Sequence, residues 1–313
     1  MRLLARRLWI GGLQLAALLV LTFVLTLLLP GDAADVQSGD VTTPAQRQET
    51  RMLLGLDVSP VDRFLRWCGS VLRGDLGISV SQGRPVWHVI SGPLTVTAVM
   101  ALAATVALVP VAGFAGLWAG LRPDGVADRV VTSVAIAVDS IPDFVLAIVL
   151  VSYLAVEGRL LPATTIGMSP EDVAADPRYL VLPLVVMVCR VAAPLVRLVR
   201  AGVVDTMRRP YITQARRLGV APAELLLRHV APNALGPAMQ DLGRTGDSLL
   251  SGVLVVEAVF AMPGIATTLI DAIGARDAPV VLAVVLLTGI AAVLANTGID
   301  ALGARMVPQR VRA

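Results

Sequence analysis

Asp139 and Asp143 stand in the middle of an apolar stretch, four residues apart around Pro142. That is the spacing of one helical face, and the proline frees a backbone carbonyl that water or a side chain must satisfy. An ionisable group within a bilayer is costly unless paired or watered, so each is a functional candidate. A second set, Asp241, Arg244 and Asp247, steps by three along another apolar stretch, close enough for mutual ion pairing. Arg190 and Glu257 sit in similar surroundings and are read as gate or structural residues. The chemistry open to these groups is charge recognition. Asp139 and Asp143 either line a wet path for a charged solute or hold a structural kink. The second set either lines a cavity or forms an internal ion-pair ladder.

Bond-making chemistry has no residues to carry it. His88 and His229 are the only histidines, neither HExxH nor GxSxG occurs, and Cys68 and Cys189 form no CxxC pair. The chain contains no lysine, so it cannot hold the phosphate-binding lysine of a Walker A loop. The sequence therefore predicts no catalytic residue, no metal site and no bound cofactor, and energy for any transport must come from partner chains or an ion gradient.

The elements that position these charges are set by the solvent. Of 313 residues, 56% are hydrophobic, 16% charged and 4% aromatic, an aliphatic composition that suits lipid-facing helices. Leu8 to Leu29 carries no charge and as a helix covers roughly 33 Å, enough to cross the hydrocarbon core. Further runs at Leu94–Leu121, Val130–Leu154, Leu180–Val196, Ala234–Val259 and Val280–Leu302 predict an all-α integral membrane protein of about six transmembrane helices. Arginines cluster before the first run, between the second and third, around the connection from the fourth to the fifth (from Arg197 and Arg200 to Arg228), and at the end (Arg305, Arg310, Arg312). These all fall on one side, which by the positive-inside rule makes both termini cytoplasmic. The implied organisation is a tail and first helix over 1–29, an extracytoplasmic segment over 30–93, and a five-helix core over 94–313. The net charge of +3 gives no sign of nucleic-acid binding.

Within the extracytoplasmic segment, Val61, Phe64, Leu65, Cys68, Val71 and Leu72 alternate with Asp62, Arg63, Arg66 and Arg73 at helical spacing. They predict an amphipathic helix lying on the membrane or on the protein. Trp67 and Trp87 suit the headgroup region.

Arg208 to Pro237, RRPYITQARRLGVAPAELLLRHVAPNALGP, is far longer than a hairpin between two spans requires. Pro210 fits a first helical turn, Gly219 a left-handed cap, and Pro222 with Glu224 the start of a second short helix. Ile212, Ala215 and Leu218 supply an apolar edge, while Arg208, Arg209, Arg216 and Arg217 offer donors for the carboxylates or carbonyls of another protein. A solvated basic loop held near anionic lipid fits the same composition.

Gln214-Ala215-Arg216-Arg217-Leu218-Gly219, followed by Arg228-His229-Val230-Ala231-Pro232-Asn233-Ala234 and Pro237, resembles the EAA motif of binding-protein-dependent ABC importer permeases, in their dipeptide, oligopeptide and nickel branch. Landmarks similar to that branch run through the chain, including Pro30-Gly31-Asp32, Gly74-Asp75-Leu76-Gly77, Glu257, Asp271, Asp277, Pro279 and Asp300. Pro232 and Gly236 depart from it. The resemblance implies a type I ABC importer permease fold in the bacterial plasma (inner) membrane. It also implies a coupling helix seated in a cleft of a separate ATPase, with Tyr211, Ala215, Arg216, Arg217, Gly219, Glu224 and Arg228 in the contact zone. The implied partners are a second homologous permease, ABC ATPase subunits that use ATP and Mg, and an extracytoplasmic solute-binding protein. Di- and oligopeptides are the first implied substrates, with nickel or metal chelates and other peptide-like solutes as alternatives. A secondary transporter driven by an ion gradient is the alternative of another class, and it predicts inverted repeats and discontinuous helices.

Overall fold

A computed structural model describes residues 2–38 and 43–306. The chain runs through α1 (Arg2–Leu28), α2 (Ala33–Ser38), α3 (Pro44–Leu53), α4 (Pro60–Val71), α5 (Val86–Leu121), α6 (Val126–Ser140) and α7 (Asp143–Leu150), the last prolonged by a π-helical stretch, Val151–Glu157. There follow α8 (Pro170–Ala175), α9 (Arg178–Met207), α10 (Pro210–Arg217) and α11 (Pro222–Glu224), which passes through π-helical Leu225–Val230 into α12 (Ala231–Phe260). The last helices are α13 (Ile265–Gly274) and α14 (Ala278–Met306). The fold is all-α, and among the described residues the only β feature is an isolated bridge between Ile78 and Pro85.

Each apolar run of the sequence becomes helical, the third in two pieces, and most boundaries shift outward. Trp9–Leu28 of α1, α5, α9 and Ala278–Gly298 of α14 are long and apolar enough to cross a bilayer. α6 and α7 make a fifth crossing if the pair counts as one span. α12 has 30 residues, the length of a span, and carries Asp241, Arg244 and Asp247 along its middle.

The third run is where expectation and structure differ. Instead of one kinked helix, α6 and α7 are separate and meet at 107°. Ile141 (φ −91°, ψ 126°) and Pro142 (φ −58°, ψ 142°) are both extended. Proline drives its predecessor out of the helical region and has no N–H for the preceding turn, so the helix ends here and starts again. Asp139 and Asp143 consequently do not share a helical face.

The chain forms two compact units. The first comprises Met1–Thr97, Met168–Asp172 and Pro263–Val293. Its core joins Val86 and Ile90 of α5, Ile265 and Ala272 of α13, and Val280–Val284 of α14, with Leu15, Leu19 and Phe23 of α1 packed on it. Close approach of α1 and α14 needs small residues: a Cβ on Gly11 would lie 2.6 Å from Val293 Cγ1. The amphipathic α4 lies on this unit. Phe64 stacks on Phe23 at 4.5 Å, and Trp67 is buried and donates its indole N–H to the Leu76 carbonyl at 3.1 Å. Asp277, fully buried, sits just before α14. It accepts from the Ser79 and Ser81 hydroxyls (2.5 and 2.7 Å) and the Val80 and Ser81 amides (3.2 and 3.0 Å), pinning the segment around Ile78–Pro85 to the helix start.

The second unit comprises Ala98–Gly167, Val173–Met262 and Leu294–Ala313. α9 is its axis, packed by α12, α6 and α7. Gly116 and Gly120 bring α5 against it: a Cβ on either would lie 2.6 Å from Val199 Cβ or Val203 Cβ, respectively, the small-xxx-small packing of membrane helices. Gly202 does the same for α12, whose Ala234 carbonyl would lie 2.9 Å from an added Cβ. At the far end of α12, Ala261 takes a left-handed conformation (φ 50°) and its carbonyl accepts from the Thr165 hydroxyl at 2.8 Å.

Candidate functional site

The segment after α9 is built by its prolines and its glycine. Thr206 accepts the Arg209 amide, and Arg209 itself is extended, as the residue before a proline should be. Pro210 then opens α10 and Gly219, at φ +80°, ends its turn, as its type requires. The expected second short helix differs: Pro222–Glu224 does not stop but continues through the π-helical stretch into α12, so the turn at Gly219 feeds straight into a long helix.

α10 has two unlike faces. Ile212 is fully buried, and Leu225 and Val230 of the following stretch are buried with it, while Ala215 is half-buried. Facing outward are Tyr211, Leu218 and Leu227, at 43%, 74% and 69% exposure, among Arg208, Arg209, Arg216 and Arg217. The Arg228 guanidinium donates to Glu224 at 2.7 Å, one turn back along the helix. Large apolar side chains among arginines on a helix–turn–helix have the composition that protein interfaces favour, since aromatic and arginine residues carry most interface energy.

A line of ion pairs leads away from this surface. Arg190, Arg197 and Arg200 lie seven and then three residues apart on α9, hence on one stripe. Each meets one aspartate of α6 or α7. Arg190 pairs with Asp143 at 2.8 Å and Arg197 with Asp139 at 2.8 Å, while Arg200 holds Asp128 with both Nε and Nη2, the latter at 2.6 Å. Asp128 also accepts from the Asp124 amide at 2.8 Å and the Thr132 hydroxyl at 3.2 Å, so its lone pairs are filled. Burial grades the series. The Asp128 and Asp143 side chains are buried, whereas both members of the Asp139–Arg197 pair stay about 40% exposed. Paired charges avoid most of the cost of lone ions in an apolar surrounding; Arg190 is itself 47% exposed, and the Asp139–Arg197 pair stands out because its carboxylate is exposed as well.

Among the remaining candidates, Glu257 of α12 is almost wholly buried. The side chains of Asp241, Arg244 and Asp247 lie outside the described residues, as do Arg310 and Arg312. Arg197 and Arg200, read from the sequence as part of the basic connection, are inside α9 and neutralised, so at this connection the orientation argument keeps only the exposed arginines from Arg208 to Arg228.

Residues 112–312 match the binding-protein-dependent transport system inner membrane component, and residues 1–101 match the N-terminal domain of such membrane components. The chain belongs to this family of inner membrane permeases. The match leaves hardly any of the chain uncovered. Similar proteins include a probable peptide ABC transporter permease of Sinorhizobium fredii, 30% identical over 94% of this chain and 93% of its own. A putative peptide transport permease of Brucella abortus is 33% identical over 90% of each chain, and the glutathione transport permease GsiC of Escherichia coli is 32% identical over 92% of each. For this inner membrane permease, then, a discontinuous helix, which an ion-coupled transporter would also have, is part of an importer-family fold.

Sequence reasoning missed Asp128, Arg197 and Arg200 as site residues. The seven-and-three spacing of the α9 arginines was a usable signal, but their partners stand 47, 58 and 72 residues away, and local patterns do not reach that far.

Proposed function

We propose that this permease forms half of the translocation path of an ATP-driven peptide importer, with both termini in the cytoplasm and six crossings, α12 being the fifth. The surface of Tyr211, Leu218, Leu227 and the flanking arginines carries the reading. It is an exposed apolar and cationic platform at the junction of α9 and α12, of the kind that takes a carboxylate-bearing cleft on another subunit. The partner is a separate ATPase that binds ATP and Mg, while this chain binds no cofactor and performs no hydrolysis. A second homologous permease completes the path and an extracytoplasmic solute-binding protein delivers the solute.

The geometry gives the coupling a route. α10 is fastened by Ile212, and its turn continues directly into α12, which packs on α9 through Gly202. A displacement of α10 therefore moves two long helices together, and the three arginines of α9 carry it to α6 and α7. Asp139 and Arg197, the exposed pair, face the path, and Asp143 with Arg190 holds the break beside it. Relatives named for peptide and glutathione transport support a peptide or peptide-like substrate.

The test is uptake of a labelled dipeptide into vesicles carrying this chain with its partner permease, ATPases and binding protein. Uptake that needs ATP and every subunit is the expected result. Uptake by this chain alone, or uptake driven by a proton gradient without ATP, overturns the reading.

A further inference from the structure

The first unit carries an open cavity of about 480 Å³, within the usual range for small-molecule sites. Its wall is mostly apolar, with Phe23 and Leu27 of α1, Phe64 of α4 and Leu282 of α14, and it carries three charges, Asp32, Arg63 and Arg276. Asp32 is already neutralised by Arg51 at 2.8 Å. Arg276 gives its donors to the backbone carbonyls of Pro30 (3.2 and 3.3 Å) and Ile273 (2.9 Å), which leaves its charge uncompensated. Arg63 is half-buried, and its guanidinium makes no hydrogen bond or close ion pair with any described residue, although the charge of Asp32 acts on it from further off. Burial also holds its pKa below the usual guanidinium value.

A half-buried guanidinium whose donors are unused, beside an apolar cavity and with its nearest acid already ion-paired to Arg51, is matched by an amphiphile with an anionic head and a hydrocarbon tail. The position of the cavity identifies which one. Phe23 and Leu27 belong to the last turns of α1, where its apolar run gives out at Leu28, so the cavity lies at the boundary between hydrocarbon and headgroups. A phosphate is the anion found at that depth, and α1 itself, only 6% buried along its apolar window, is open to acyl chains.

We propose that this cavity is a binding site for one anionic phospholipid, its phosphate held by Arg63 with the charge of Arg276 behind it and an acyl chain lodged against Phe23, Leu27, Phe64 and Leu282. The lipid fastens α4 to α1 and α14. The site is independent of the transported solute and of the ATPase surface.

Native mass spectrometry of the full chain in detergent, loaded with dioleoyl phosphatidylglycerol or dioleoyl phosphatidylcholine, tests it. Retention of phosphatidylglycerol should exceed that of phosphatidylcholine about five-fold, the effect of one arginine at a charged interface. Arg63→Gln should abolish the preference and Arg63→Lys preserve it. Ile273→Trp, which narrows the cavity from an exposed position on α13, should lower retention of both lipids and keeps the question answerable if Arg63→Gln does not fold. Equal retention of the two lipids, a preference unchanged in Arg63→Gln, or displacement of phosphatidylglycerol by inorganic phosphate alone would overturn the assignment, the last by showing a free-anion site.

Discussion

Removing the guanidinium of Arg200 leaves the Asp128 carboxylate buried with only the Asp124 amide and the Thr132 hydroxyl for company. An uncompensated buried charge is among the costliest defects a fold can carry, and Arg200→Gln is expected to lower stability by about 3 kcal/mol. Arg197→Gln breaks a pair whose two members are both about 40% exposed, and should cost under about 1 kcal/mol while still impairing transport. Thermal unfolding of the purified variants in one detergent checks the contrast, and equal losses would contradict it. A second residue-scale effect depends on pH. The Asp32 amide, and after it Arg51 and Arg47, hold the Asp35 carboxyl below the usual carboxylate range. A lowered folded pKa gives stability that is complete above the unfolded value, about 4, and is lost as pH falls through the folded one. Hydrogen exchange in α2 and α3 should therefore speed up below about pH 4, and Asp35→Asn should remove that step. A rate that rises with pH from 4 to 7, beyond the intrinsic base catalysis of exchange, would contradict the sign.

Helices were legible where composition alone decides them. α1, α5 and α14 follow from apolar runs long enough to cross a bilayer, α9 and α12 from apolar runs that charges interrupt, and the turn at Gly219 follows from prolines and a glycine at fixed offsets. The break at Ile141–Pro142 was not legible as a break. Hydropathy is the same for one kinked helix and for two helices at 107°, and Pro142 is compatible with either; α7 packs on α9 and α12, contacts that no local pattern reveals. The arginine stripe of α9 was equally hidden, because its meaning lies in aspartates on other elements. Glycine packing belongs to this scale and can be tested there. A side chain at Gly116 meets Val199 and also the Val196 carbonyl, at 2.9 Å from an added Cβ. Gly116→Leu should push α5 off α9 and lower the unfolding temperature, and Val199→Ala should restore little of it, because the carbonyl remains in the way. Full rescue by Val199→Ala would show that side-chain volume alone sets the helix spacing.

For the molecule as a whole, the family membership and the geometry meet at α10. Ile212 ties it inward, its turn runs on into α12, and its outer face offers Tyr211 and Leu218 to a partner. If this is the ATPase seat, an acid placed at its apolar centre must break the complex without harming the chain, since Leu218 is 74% exposed and supports no core. The direct measurement is capture of the ATPase subunits on the tagged permease after mild solubilisation, comparing the wild-type chain with Leu218→Asp. The account predicts that the wild type retains the ATPases and that Leu218→Asp loses them, with membrane level and melting temperature unchanged. Undiminished capture by Leu218→Asp and by Tyr211→Asp would contradict it.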